Sequence, residues 1–212
     1  GPSLEKIDPV RFISNFSTGL QGYEIANCLA NFGAKTILIS GPTNINASKN
    51  VEVIKVQSGN EFLKKSIENL PCDIFVSVAA ISDWCMKKIN KKKIKKNSRN
   101  NIQFVLNKDV LKNISLHKKK PKLVIGFSAE TDNLLKNTEK KLKEKGCDWI
   151  LANKVTEDNA FSSEKNKIFF FDKKKIDEWP KMKKKMVALK LTKKIVSFFK
   201  NNKLLNYEKN LL

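Results

Sequence analysis

Histidine and arginine are almost missing: His117 is the single histidine, and Arg11 and Arg99 are the two arginines, in a chain of 212 residues. His117 sits in the run His117-Lys118-Lys119-Lys120. A histidine-based nucleophilic triad or a multi-histidine zinc site therefore has nothing to be built from. The four cysteines, at 28, 72, 85 and 147, have no CxxC spacing. Three lie in or beside apolar stretches, where reduced core thiols are expected. No apolar run approaches the roughly 20 residues of a membrane span. No targeting segment is readable at the start, so the expected location is cytoplasmic. Scarce arginine also weakens a nucleic-acid reading, in spite of the formal charge of +21. Sequence readers place arginine on base edges and exposed aromatics against bases. The lysines here spread over helix faces and linkers, as a solvated surface does. The positive field still suits an anionic substrate.

Apolar residues make up 41% of the chain, enough for one full domain with a core of its own. The pattern over residues 11 to 80 alternates strand and helix. A polar loop ends in Gly19-Leu20-Gln21-Gly22, and residues 23–32 carry Ile25, Ala26, Leu29 and Ala30 at helical spacing. Short β-branched runs at 34–40, 51–57 and 73–80 read as covered parallel strands, with a helix at 60–69 bearing Phe62, Leu63 and Ile67 inward. Further strands are expected at 101–106, 122–129, 149–152 and 168–171, the last opposed by 173–176, with a turn at 161–165. Helices are expected at 108–115, 133–145 and 183–199, the last with Met186, Leu189, Ile195, Val196 and Phe199 on its apolar side. The fold class is thus α/β, a Rossmann-like, doubly wound, mainly parallel sheet. The glycine pair should follow a strand, yet few residues precede it. The first strand is expected to be missing from this chain, with the natural protein extending before Gly1.

Such a sheet gathers its ligand beyond the carboxyl ends of the strands. Asn15, Gly19, Gly22, Ser58, Gly59, Asp83, Glu130 and Asn153 fall at those tips. The helix beginning near Gly22 offers free amides to a phosphate, although GxxG alone also serves helix packing. Asp83 can hold a ribose, a base amino group or a metal, or merely cap a turn. Glu130 has the same open choice, and Asn153 can anchor its own loop. The lysine run 87–96 reads either as a solvated loop or as a lid whose ammonium groups meet phosphates.

Asp8-Pro9-Val10-Arg11-Phe12-Ile13-Ser14-Asn15 followed by Ser17-Thr18-Gly19-Leu20-Gln21-Gly22 resembles phosphopantothenoylcysteine synthetase, often the C-terminal half of a bifunctional coenzyme A biosynthesis flavoprotein. The likeness continues through Ile39-Ser40-Gly41-Pro42, Ala79-Ala80-Ile81-Ser82-Asp83-Trp84, Lys93-Ile94-Lys95-Lys96, Gly126-Phe127-Ser128-Ala129-Glu130-Thr131 and Ala152-Asn153-Lys154-Val155. The resemblance implies one ligase domain over 1–212, with 87–106 and 165–176 as a lid and dimerisation subregion. It implies joining of 4'-phosphopantothenate to L-cysteine with CTP, or with ATP as in many eukaryotic members, through an acyl-nucleotide. Magnesium would screen the triphosphate, a homodimer is expected, and a decarboxylase could be fused or associated. The flavin-dependent half is absent, so no FMN is expected.

By motif, Asn15 and Lys93 take the catalytic places, Asn15 at the acyl group and Lys93 in a lid over the triphosphate. Gly19, Gly22, Ala79, Asp83, Asn107, Asp109, Val110, Phe127, Lys141 and Lys145 take the nucleotide or substrate places. The family's Asn-Pro-Asp-Ile reads Asn107-Lys108-Asp109-Val110 here, and its Ala-Asn-Asp-Val reads Ala152-Asn153-Lys154-Val155. The rival enzyme class is a nicotinamide-dependent oxidoreductase. It wants GxGxxG and an acid closing the second strand; this chain lacks the first glycine and ends that strand in Ser40-Gly41-Pro42. A basic nucleic-acid-binding protein is the non-enzymatic rival.

Overall fold

The computed structural model describes residues 1–96, 102–156 and 164–209, the last eight as helical backbone only. Arg99, the first residue of the strand expected at 101–106 and most of the turn expected at 161–165 lie outside the described residues.

The N-terminal part alternates as its periodicity dictates: α1 (Leu20–Asn31), β3 (Thr36–Ser40), β4 (Val51–Lys55), α2 (Gly59–Glu68) and β5 (Ile74–Ser77). Two short strands precede it, β1 (Glu5–Lys6) and β2 (Phe12–Ile13), paired antiparallel. The stretch 3–18, which reads as loop, is thereby folded back on itself. Ser58 caps α2, its Oγ accepting from the Glu61 amide at 3.3 Å. The Glu61 carboxylate returns to the Gln57 amide at 2.8 Å, one residue before the amide a capping box would use. After β5 come β6 (Trp84–Met86) and β7 (Phe104–Leu106), which pair antiparallel, then α3 (Val110–Ser115), β8 (Leu123–Glu130), α4 (Leu134–Lys145), β9 (Trp149–Lys154), β10 (Lys165–Phe171), β11 (Ile176–Lys183) and α5 (Lys184–Lys209).

The main sheet has five strands in the order β11-β10-β9-β8-β5. Strands β5, β8 and β9 are parallel, while β10 runs antiparallel to both β9 and β11. The sheet is therefore mixed, where the sequence suggests a mainly parallel one. One of its two antiparallel pairings, β10 with β11, comes from a tight reversal after β10. Asp172 Oδ1 accepts from the amides of Lys174 and Lys175 at 2.7 and 2.9 Å, sending the chain straight back. The returning strand is longer and later than the 173–176 expected. Pro180 is tolerated in it because β11 is an edge. Strands β3 and β4 form a separate parallel pair, and no described strand joins β3 to β5. Residues 2–4 instead cross the far ends of these strands: the Ser3 amide donates to Ala80 and the Leu4 amide to Gln57, at 3.0 and 2.8 Å.

Helices cover both faces of the main sheet. On one side Ile25 of α1 and Val187, Ala188, Leu191 and Ile195 of α5 pack with Leu123, Ile125, Leu151, Phe170 and Trp179. On the other, Leu142 of α4 packs with Val124, Ile150 and Phe171. The alternation along β8 is what a strand buried on both faces requires. The inward stripe of α5 keeps Ile195 and Phe199 of the expected one, but at its start Val187 and Leu191 are fully buried and Met186 is half exposed. On α2, Ser66 is buried in place of Ile67. The cysteines are all free. Cys147 fits the core reading, and burial pushes its thiol up to about 11, but Cys72 is exposed. No helix among the described residues is long and apolar enough to cross a membrane.

Candidate functional site

Beyond the carboxyl ends of β5, β8 and β9 lies a cleft of about 970 Å³. Its floor is the chain from Ser77 to Trp84 after β5 and from Phe127 to Ala129 at the end of β8; one wall is the start of α1, and another is formed by the 106–111 turn and α4. Four lysines, 108, 141, 145 and 184, line it against two carboxylates, Asp83 and Asp109. Its rim therefore attracts an anion.

The turn into α1 is built on Gly19, whose φ of +81° is the left-handed conformation that glycine adopts without steric cost. The carbonyl of Gly19 accepts from the amides of Gly22 and Tyr23 at 3.0 and 3.2 Å, closing the first turn. Gly19 has no side chain to cap the helix, and Thr18 Oγ1 accepts from the Leu20 amide at 3.3 Å instead. Gly22 is less constrained, since a Cβ there would meet only Val78, at 3.9 Å. Asn15 projects toward the floor. Its Nδ2 donates to the Ala80 carbonyl at 2.6 Å, and its Oδ1 accepts from the Ser17 amide at 3.1 Å. The asparagine therefore ties the N-terminal loop to the tip of β5.

Asn107 closes the opposite wall. Its amide nitrogen Nδ2 donates to Glu5 Oε1 at 2.9 Å and to the Ser82 carbonyl at 3.2 Å. The same Glu5 oxygen accepts from the Gly59 amide at 2.8 Å, so a buried carboxylate joins β1, α2 and the 107 turn. Gly59 is required by this packing: an added Cβ would stand 2.5 Å from Asn107 Nδ2. Asp109 caps α3 through the Lys112 amide at 2.9 Å and pairs with Lys145. Lys141 reaches Glu130 Oε1 at 2.6 Å and Ser128 Oγ at 3.1 Å.

Of the residues singled out in the sequence, Asn15, Gly19, Gly22, Ala79, Asp83, Asn107, Asp109, Val110, Phe127, Lys141, Lys145 and Asn153 all line this cleft. Val110 is buried with Val56, Phe62, Leu63 and Ile114, which leaves its main chain to face a ligand. Lys93 is not among the lining residues; it is exposed. Its neighbour Ile94 is held from two sides, the amide donating to Asp8 Oδ2 at 3.2 Å and the carbonyl accepting from Arg11 at 3.0 Å. Asp8 is buried and also accepts from the Val10 and Arg11 amides, both at 2.9 Å. The Arg11 guanidinium holds the Asp8 carboxyl well below the usual carboxylate range; the three amides add to this and burial opposes it. Ser58 serves as a helix cap, and Glu130 lies under the rim rather than in the lining.

Sequence reasoning passed over Gln21 and Lys184. Both are buried at the cleft, Gln21 Nε2 donating to the Lys184 carbonyl at 3.1 Å. Burial pulls the Lys184 ammonium below the ordinary lysine range, against the opposing pull of Glu164. No local pattern marks them, because they meet only when α5 docks on α1. Among the described residues, no group of three or more His, Cys, Asp or Glu side chains is placed to hold a metal ion.

Comparison with known proteins matches residues 1–199 to the family described as DNA/pantothenate metabolism flavoprotein C-terminal domain. A curated relative, the coenzyme A biosynthesis bifunctional protein CoaBC of Borreliella burgdorferi, is 38% identical over 193 residues, covering 89% of this chain and 49% of that protein. A second, named cysteine/cysteine sulfinic acid decarboxylase and from an unknown prokaryotic organism, is 37% identical over 93% of this chain and 56% of its own length. The chain thus spans about half the length of the curated relatives it matches. Among solved structures, the C-terminal domain of CoaBC superposes with a TM-score of 0.80 at 34% identity, covering 95% of this chain and 93% of that one. The chain belongs to the DNA/pantothenate metabolism flavoprotein C-terminal domain family.

Proposed function

We propose that this chain is a phosphopantothenate–cysteine ligase domain that uses CTP. One observation carries the reading. Eleven of the twelve residues assigned by motif, all but Lys93, border a single cation-rich cleft at the strand ends, in a chain 34% identical to the C-terminal domain of CoaBC.

In the first step the phosphopantothenate carboxylate attacks the α-phosphorus of CTP. The bond to the bridging oxygen breaks, and pyrophosphate leaves. In the second, the cysteine amine attacks the acyl carbon, forming the amide and releasing CMP with the bonding pair on its phosphate oxygen. The start of α1 favours an anionic group through the helix dipole, since the amides of Leu20, Gly22 and Tyr23 are already held by Thr18 Oγ1 and the Gly19 carbonyl. Lys141 and Lys145 face the triphosphate, and Phe127 and Asp83 the nucleoside. Asn15 orients the reacting carboxylate, a positioning effect on developing charge. Lys93 acts only if the 87–96 segment approaches the cleft. Magnesium suits this donor set as an ion carried mainly by phosphate oxygens and water, with Asp83 as the available carboxylate; when bound it would neutralise triphosphate charge. In the same reading, β3–β4 and the five-stranded sheet are two parts of one doubly wound, Rossmann-like sheet. The β6–β7 pair, which begins just before the expected 87–106 subregion and closes with it, is the dimerisation surface and carries exposed Trp84, Phe104, Val105 and Leu106. Residues 165–171 contribute little to it, being an inner strand of the main sheet.

The deciding measurement is pyrophosphate release with 4'-phosphopantothenate and cysteine, CTP set beside ATP. Release that needs both acceptors, and is faster with CTP, is expected. Absence of release with either nucleotide would count against a ligase. Carboxyl-labelled cysteine in the same mixture should yield labelled amide and no labelled CO2; labelled CO2 would favour the activity named for the decarboxylase relative.

A further inference from the structure

We infer that Glu130 is a positioning residue, which holds the Lys141 ammonium at the rim of the cleft as a fixed cation for the nucleotide's phosphates. The nucleotide's identity rests on the ligase reading above; the brace itself rests on geometry. Strand β8 sends alternate side chains to opposite faces. Phe127 faces α1 and α5, whereas Ser128 and Glu130 turn toward α4. Glu130 is 7% exposed. Its Oε1 accepts from Lys141 at 2.6 Å and from Ser128 Oγ at 2.5 Å, and its Oε2 accepts from Asn137 Nδ2 at 3.4 Å. Asn137 and Lys141 are one turn apart on α4, so a single carboxylate grips that helix at two levels.

The same contacts fix the lysine. An ammonium has three N–H bonds; two are committed to Glu130 and Ser128, and one remains. The Lys141 side chain is 41% exposed, and it lines the cleft. Burial alone would favour the neutral acid, but the hydrogen bonds from Lys141 and Ser128 outweigh it and hold Glu130 below the usual carboxylate range. A half-buried ion pair of this kind adds little stability over a packed apolar pair. What it does supply is direction: a long, flexible side chain is kept in one place before any anion arrives.

The test compares Glu130→Gln, Lys141→Met and the double variant with the wild-type chain, by two readouts. The first needs no nucleotide: acetylation of Lys141 by an active ester, followed by peptide mass spectrometry, with exposed Lys136 as the internal control. Glu130→Gln should accelerate labelling at Lys141 several-fold and leave Lys136 unchanged. The second is steady-state pyrophosphate release. Glu130→Gln should raise KM for CTP about tenfold, the size of one lost charge-assisted hydrogen bond, with kcat nearly unchanged. In the Lys141→Met background it should add nothing further. Unchanged labelling, or an equal rise in KM in both backgrounds, overturns the inference. If Glu130→Gln does not fold, Glu130→Asp is read by the same two measurements, since its shorter carboxylate also loosens the pair. If no nucleotide reacts with the wild type, the ligase reading falls, and the labelling rate alone decides the role of Glu130.

Discussion

At Gly19 the chain turns through φ +81°, and an added Cβ would stand 3.1 Å from the Gly1 Cα. At Gly22 it is in ordinary helix with open space beside it. The two glycines of one motif therefore predict opposite outcomes. Gly19→Ala should cost about 1–2 kcal/mol from the left-handed backbone alone. Gly22→Ala should raise the stability of the ligand-free protein by roughly 0.5–1 kcal/mol, the ordinary gain from glycine to alanine inside a helix. Urea unfolding of both variants checks this, and a destabilised Gly22→Ala would show that a methyl group at 22 is not accommodated beside Val78. Under the ligase reading Gly22→Ala should still raise KM for a substrate, because its new methyl group enters the cleft. Sequence could mark both glycines but could not rank them. Backbone angle and free space are set by what α1 packs against, which no local pattern records. Glu130 is a similar case: it reads as one more polar strand tip, and its partner lies eleven positions on, in a helix whose rotation about β8 is a tertiary fact.

Elements show the same division. Helix α1 was legible because its apolar spacing meets the sheet on one side, and Ile25, Ala26 and Ala30 are indeed buried. Strand β11 was not, since lysine and proline interrupt its alternation and only Trp179 is fully buried. Helix α5 was legible toward its C-terminal half, where Ile195 and Phe199 meet the core, and misread at its start, where Val187 rather than Met186 turns inward. The segment at 90–94 reads as solvated lysine, yet it is fastened to the N-terminal loop. The Asn90 amide donates to the Ile7 carbonyl at 3.0 Å, and Asp8 and Arg11 grip Ile94. This fastening carries a pH signature. Asp8 has its pKa depressed in the folded state, so the unfolded chain takes up this proton more readily. The stabilisation is complete above the unfolded value of about 4 and drains as pH falls toward the folded value. Unfolding free energy should therefore drop below about pH 4, and Asp8→Asn should flatten that drop. The same variant should expose the 87–96 stretch to trypsin at neutral pH. A wild-type acid slope in Asp8→Asn would remove Asp8 from this role.

For the whole molecule, two surfaces stand out against a background of lysine. One is the cleft, where cations converge. The other is the β6–β7 pair, which adjoins the cleft through Trp84 and Leu106; Trp84 and Phe104 are about half exposed and Leu106 is 72% exposed. A strand pair bearing this much open apolar surface is costly in water, and β7 also presents a strand edge. Lysines flank it on both sides, at 87 and 88 and at 108, and a net charge of +21 opposes any loose association. A second copy settling there must bury the apolar strip closely enough to offset this repulsion, and salt must help it by screening. The dimer reading therefore predicts a dissociation constant that falls as salt rises, the reverse of an association held by opposite charges. Sedimentation velocity across a salt series reads this directly. Leu106→Glu places a carboxylate on the most exposed residue of the strip, at its cleft end opposite Trp84, and should leave a monomer at every salt concentration. Its unfolding free energy at low protein concentration should stay within about 0.5 kcal/mol of the wild-type value, because the residue is on the surface of the single chain. A wild type that remains monomeric at high salt would show that the strip serves another end, such as contact with a longer form of this protein or with the substrate-bound 87–96 segment.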